Sequence, residues 1–447
     1  MARLLRIQLL TVLAVAMIGV DIVIRLRAME KTVISSPSYR RTPPKPPLLV
    51  SKGNTRPRSS IFTRAANDTV GKFDGMGNLV SKIRDPCNYK VQIYDRKGIL
   101  LKERSDTFRN IAPRKKGRRN IPVSVQCGGN STVTVTIGDE KRKFKGMDAV
   151  LFHLCLRLVP PRSLPVGMNP KQAWVFCSWE TPYISTAPQF RIKEIDVPSL
   201  SGFTANAAWT YHRTSEITTQ FGFYEHGKPM VNKTRTVDEW VQGKTDLVLW
   251  MGSNCGITSW PRLKFVEKLQ SYIPVDMYGR CGNLTCEPRS SPKCNEELVR
   301  KYKFYLALEN SECEEYITEK MWDRTLLLGV VPIVYGASRK DYEEFLPPNS
   351  FIYVGDYNTV KELADYLKLL DSRPDLYAKY FEWKYKGRVS TTKVFYSPFD
   401  PSRFCHLIPI IEKVRRGELP REPVLSSHFF QTCREKPNSV VDGWNPW

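Results

Sequence analysis

Residues 304–336 read FYLALENSECEEYITEKMWDRTLLLGVVPIVYG, and this stretch decides the fold. Phe304–Leu308 is a short apolar run of the sort buried on both faces of a parallel sheet. It opens into a polar loop and then into Thr318–Leu328, where Met321, Trp322, Thr325 and Leu326 mark one side of a helix and Gly329 is its stop. Val330–Tyr335 follows as a second strand, closed by Gly336. A strand, a helix and a strand at this spacing make one unit of a doubly wound α/β sheet.

The pattern continues on both sides. Asp246–Met251 (DLVLWM) reads as a strand, Pro261–Tyr272 as a helix on Leu263, Val266 and Leu269, Phe351–Val354 as a strand and Val360–Leu370 as a helix. Upstream, Ile121–Gln126 and Thr132–Ile137 alternate apolar and polar residues around Gly128-Gly129-Asn130, which predicts a β-hairpin. Ala149–Phe152 and Trp174–Phe176 read as buried strands. The helix start at Thr318 carries Glu319 and Lys320, and helix N-termini favour anionic phosphate. Asn310 and Ser311 follow a strand, where ligands bind in open α/β sheets. The same residues also fit an ordinary helix start with Thr318 as its cap.

The 447 residues carry 68 Lys and Arg against 45 Asp and Glu, a net charge of +23. Such an excess suits nucleic acid, phospholipid headgroups or phosphorylated small molecules without choosing among them. Four Asn-x-Ser/Thr sequons, at Asn67, Asn130, Asn232 and Asn283, join eleven cysteines and an apolar N-terminal run in favouring the secretory pathway. That run, Ile7 to Ile24, is interrupted only by Gln8, Thr11 and Asp21 and suits one membrane span, with a cleaved signal peptide as the competing reading. Residues 25–80, rich in Ser, Pro, Arg and Lys, read as a flexible stem. The histidines show no zinc-ligand spacing, and the expected metal count is zero.

The run from Phe304 to Ile352 closely resembles the signature of the α(1,3)-fucosyltransferases. Further landmarks fall in the family's order: Met147–His153, Trp179-Glu-Thr-Pro182, Tyr211-His-Arg213-Thr-Ser-Glu216, Trp250–Cys255, Pro261-Arg-Leu-Lys264 and Val275–Cys281. The resemblance covers roughly residues 145–405 and implies a GT-B fold, two Rossmann-like doubly wound domains facing a cleft. It implies a cytoplasmic tail at 1–6, a signal-anchor at 7–24, a stem at 25–80, an acceptor-side domain at 81–240, a GDP-fucose domain at 241–405 and a tail at 406–447. The layout is that of a single-pass type II Golgi enzyme, with a homodimer as an expected assembly.

The resemblance also implies roles. Inverting transfer needs a base for the acceptor hydroxyl and positive charge for the leaving GDP. Glu180 matches the base, Arg262 and Lys320 the cations facing the diphosphate, Asn310 and Tyr316 the nucleotide contacts, and Glu319 the carboxylate facing fucose or ribose. Ser311, Tyr211 and Arg213 match weaker positions. The chain has no Asp-x-Asp triplet, so GDP-fucose is expected without an obligatory metal, a divalent cation serving at most as a stimulant. The acceptor is expected to be GlcNAc in a glycoprotein or glycolipid glycan. A silent glycan-binding protein of the same fold and a protein O-fucosyltransferase are the alternatives.

The cysteines depart from the family pattern. Pairing of Cys87 with Cys127, of Cys405 with Cys433, and of two among Cys281, Cys286 and Cys294 is expected. Asn206-Ala-Ala-Trp209 also differs from the family's Asn-Trp-Thr.

Overall fold

The computed structural model describes residues 87–94, 122–138, 141–153, 169–182, 200, 202–288, 291, 293–392 and 401–434. In chain order the strands are β1 (Asn88–Tyr94), β2 (Val123–Gln126), β3 (Thr132–Gly138), β4 (Ala149–His153), β5 (Ala173–Ser178), β6 (Thr204–Ala205), β7 (Ala207–Thr210), β8 (Ile217–Thr218) and β9 (Gly222–His226). Then come β10 (Asp246–Met251), β11 (Val275–Tyr278), β12 (Tyr302–Leu308), β13 (Val331–Tyr335), β14 (Ile352–Tyr353), β15 (Gly387–Thr391) and β16 (Glu422–Pro423).

Two α/β sheets result. The first runs β2-β3-β1-β4-β5-β7-β8, parallel except for the β2–β3 hairpin. The hairpin is the expected one, and Gly129 and Asn130 turn it with φ of 66° and 61°. The second runs β11-β10-β12-β13-β14 and is parallel throughout.

Burial on both faces explains why the central strands are unbroken apolar runs. Along β12, Phe304, Leu306 and Leu308 enter one core, while Tyr305 and Ala307 enter the other. The first of these cores is closed by helices Arg262–Gln270, through Phe265, Val266 and Leu269, and Val360–Ser372, through Val360, Leu363, Ala364, Leu367 and Leu370. Thr359 caps the latter by accepting from the Glu362 N–H.

The expected helix Thr318–Leu328 forms only in part. Glu319–Met321 is α-helical, and Trp322–Leu326 widens into a π-type turn, with the Leu327 N–H reaching the Trp322 carbonyl at 3.3 Å. The Thr325 hydroxyl bonds the Met321 carbonyl inside that turn, a side-chain competitor for the helical ladder. Gly329 then ends it at φ 71°.

Late in the chain, helix Leu407–Arg415 lays Leu407, Ile410, Ile411 and Val414 into the core of the first sheet. Burying such side chains stabilises by about 1.5–3 kcal/mol each. The Tyr89 hydroxyl donates to Glu412 at 3.1 Å, and Arg415 pairs with Asp148 at 2.6 Å. Asn206, in the divergent Asn-Ala-Ala-Trp element, accepts from the Trp174 N–H and donates to the Leu419 carbonyl. That element is therefore structural in the described residues.

Two expected disulfides are corrected. Cys127 is bonded to Cys405, not Cys87, because the 401–406 turn lies against the β2–β3 hairpin; the Cys87 thiol is free. Cys433 is bonded to Cys313, not Cys405, because residues 432–434 run beside the loop after β12. Cys286–Cys294 forms within the expected triplet, while Cys281 takes Cys255. The expected span at 7–24, the stem and the Asn67 sequon lie outside the described residues. Among the described residues no helix is long and apolar enough to cross a membrane. Asn130, Asn232 and Asn283 are exposed.

Candidate functional site

In the second sheet the strand order reverses beside β10, which has β11 on one side and β12 on the other. Ligands of open α/β sheets bind at the C-terminal ends of strands at such a point. Arg262, the first residue of its helix, spans it: one guanidinium nitrogen donates to the Asn254 carbonyl after β10 (2.8 Å) and the other to the Leu308 carbonyl ending β12 (3.0 Å). The residue is 5% exposed, its Nε is without a hydrogen-bond partner, and it makes no ion pair among the described residues. Burial pushes this guanidinium down, opposed by Glu309, Tyr316 and Glu180. A buried cation without a carboxylate partner is a ready acceptor for an anion.

Glu309 follows β12 and is fully buried. It accepts from the Thr318 N–H (2.9 Å), the Thr318 hydroxyl and Lys320 Nζ (2.8 Å), while Glu319 lies 3.6 Å from the same ammonium. Burial alone would push the Lys320 ammonium down; Glu309 and then Glu319 outweigh it and hold it above the ordinary lysine value. The close approach of Gly336, at φ 139°, makes room for this pair: a Cβ there would fall 2.5 Å from Glu309 Cβ.

Glu180 arrives from the other sheet, two residues past β5. Its Oε2 accepts from Tyr316 OH at 2.8 Å and from Asn310 Nδ2 at 3.1 Å. Asn310 is oriented in turn, because Ser311 Oγ donates to its Oδ1 at 3.0 Å and Thr181 Oγ1 lies 2.9 Å from Ser311 Oγ. Ser178 Oγ fixes the Glu180 backbone by donating to its carbonyl. Glu180, Asn310, Ser311 and Tyr316 thus meet directly, with Arg262, Glu319 and Lys320 gathered around Glu309. Tyr211 and Arg213 stand behind. The Tyr211 ring lies 5.0 Å from that of Tyr316, and Arg213 pairs with Glu315 and with Glu344 (2.6 Å).

Sequence reasoning missed Glu309, the counter-charge of Lys320, and Thr181, the first link of the chain that orients Asn310. Glu309 left a signal: it is the first acidic residue after the apolar run Phe304–Leu308. Thr181 left none.

The family model "Glycosyltransferase family 10 (fucosyltransferase) C-term" matches residues 241–419. The chain is 38% identical over 233 residues to the glycoprotein 3-alpha-L-fucosyltransferase A of Drosophila melanogaster, covering 51% of this chain and 44% of that relative. It is 35% identical over 272 residues to the 3-galactosyl-N-acetylglucosaminide 4-alpha-L-fucosyltransferase of Pongo pygmaeus, covering 59% of this chain and 68% of that relative. A solved α1,3-fucosyltransferase with GDP superposes over 75% of this chain and 92% of its own, at 16% identity and a TM-score of 0.42, too loosely to carry roles across. On the sequence relationships, this chain belongs to glycosyltransferase family 10, the fucosyltransferases.

Proposed function

We propose that this chain is an inverting α(1,3)-fucosyltransferase that moves L-fucose from GDP-β-L-fucose to a GlcNAc residue of a glycoprotein or glycolipid glycan. The observation that carries the reading is the Glu180 carboxylate, held through Oε2 by Asn310 and Tyr316 within electrostatic reach of a buried Arg262 that makes no ion pair among the described residues. With Oε2 occupied, Oε1 is the oxygen left to take the acceptor's hydroxyl proton. The acceptor oxygen forms its bond to fucose C1 as the bond from C1 to the GDP oxygen breaks, and GDP leaves with that electron pair. Arg262 and Lys320 would balance the charge growing on the diphosphate, a forked guanidinium suiting two phosphate oxygens. Asn310, Tyr316 and Glu319 would contact the nucleotide and sugar.

The two sheets are read as the two Rossmann-like halves of a GT-B arrangement. With Arg262 and Lys320 taken as the cations for the diphosphate, a divalent ion would stimulate rather than be required. A Golgi address, a single span at 7–24 with the enzyme lumenal, and homodimerisation complete the proposal; the exposed sequons are compatible with it.

The test incubates detergent-solubilised full-length chain with GDP-fucose, with and without EDTA, and with LacNAc, sialyl-LacNAc and N-glycan core acceptors, reading products by mass spectrometry. Transfer that falls by about 10²–10⁴ in Glu180→Gln supports the proposal. Full activity in that variant, or no transfer to any acceptor, overturns it.

A further inference from the structure

His212 is 2% exposed, and its Nε2 has no hydrogen-bond partner. Leaving a buried polar atom unpaired costs about 1–3 kcal/mol, so the arrangement calls for a reason. The other side of the ring is held: the Thr214 N–H donates to Nδ1 at 3.3 Å, and Thr214 Oγ1 lies 2.9 Å from the same nitrogen. In the other tautomer, with Nδ1–H donating to the Thr214 hydroxyl oxygen, Nε2 would offer its lone pair to a metal. Nε2 faces a carboxylate, Glu314 Oε2, at 3.6 Å. A proton on Nε2, or a metal ion taken up between the two atoms, makes that approach favourable.

A third donor completes the set. The His428 ring centroid lies 5.3 Å from that of His212, and the ligand atoms of His212, Glu314 and His428 all fall within 4.8 Å of one another. Glu315 Oε1 is also 3.6 Å from Nε2, but Glu315 is taken by Arg213 through both its side chain and its N–H. Glu314 makes no ion pair with lysine or arginine among the described residues, and its side chain is 57% exposed.

We propose that His212, Glu314 and His428 bind a divalent transition metal, zinc foremost, with water as the fourth ligand. Two imidazoles and one carboxylate are a known zinc donor set, with metal–ligand distances near 2.0–2.2 Å. Donor separations must then shorten to roughly 3.3–3.5 Å, which exposed Glu314 and His428 can do by turning toward the fixed His212. The three ligands come from the turn after β7, the loop after β12 and the C-terminal turn His428–Gln431. The Cys313–Cys433 disulfide already holds the last two together. The metal is a staple: Tyr211 and Tyr316, flanking two of its ligands, form the wall behind Glu180.

The test uses the full-length chain, stripped with EDTA, desalted and given one equivalent of Co²⁺ or Zn²⁺. The expected result is one metal retained per chain, visible d–d absorption of four-coordinate cobalt, and a melting temperature raised by zinc. His428→Ala and Glu314→Gln, at exposed positions that leave folding intact, should lose the cobalt band and weaken zinc binding by at least about tenfold. His406→Ala, away from the cluster, should change neither. Absence of the cobalt band in the unsubstituted chain, or equal zinc affinity in His428→Ala and Glu314→Gln, overturns the site.

Discussion

Tyr316 donates its hydroxyl to Glu180 Oε2 across 2.8 Å, joining the loop after β12 to the end of β5 over 136 positions of sequence. Burial first, then the charges of Glu180 and Glu309, push this phenol well above the ordinary tyrosine range, so it stays protonated and donating. Tyr316→Phe keeps the buried ring and removes the donor, leaving Glu180 with Asn310. A hydrogen bond to a charged group contributes about 1.5–3 kcal/mol, so kcat should fall about 10–100-fold. Steady-state kinetics beside an unchanged circular dichroism spectrum would check it; an unchanged kcat would remove Tyr316 from the machinery.

Arg262 bridges two carbonyls with two separate nitrogens, which an ammonium cannot reproduce. Arg262→Lys should therefore weaken GDP binding by about tenfold or more while retaining the charge. Calorimetric titration with GDP measures this directly, and equal affinity would show that the fork is dispensable.

Lys320 and Glu309 form a buried ion pair at 2.8 Å. Lys320→Met strands the Glu309 carboxylate and should cost about 3–5 kcal/mol in chemical denaturation. Adding Glu309→Gln to that variant removes the stranded charge, and part of the loss should return. If the double variant is as unstable as Lys320→Met plus a further loss, the pair is not the source of the cost.

Lys384, 6% exposed, donates to the Leu326 carbonyl at 3.1 Å. Burial first, then Arg235 and Arg300, push its ammonium down to about 8. An unfolded lysine titrates near 10.4. Between those values the unfolded chain binds the extra proton, so stability rises with pH there; below about pH 8 both states are charged and the full burial cost applies. From about pH 7.5 to 9.5 this group should add about 1–2 kcal/mol. Lys384→Met should flatten that rise in urea melts, and an identical slope would contradict the assignment.

The Cys127–Cys405 bond ties the first sheet's hairpin to the turn before the last long helix. Cys405→Ser should cost about 2–5 kcal/mol, whereas Cys87→Ser should cost little. Peptide mapping without reduction would recover Cys127 with Cys405; Cys127 linked to Cys87 would refute the pairing.

The sequence by itself determined the α/β class and the second sheet, because a strand buried on both faces must be an apolar run and Phe304–Leu308 and Val331–Tyr335 are such runs. It also placed Asn310 at a strand's end and Lys320 at the start of the helix after it, since position along a βα unit sets position on the sheet, whereas Arg262 came only from the family resemblance. Tertiary structure alone decided what depends on chain return: Leu407–Arg415 closing the first core, Cys405 finding Cys127, and Glu180 finding Tyr316. Local periodicity carries no information about partners more than a hundred residues away. His212, Glu314 and His428 show the same limit, for three donors on three separate loops have no spacing to read.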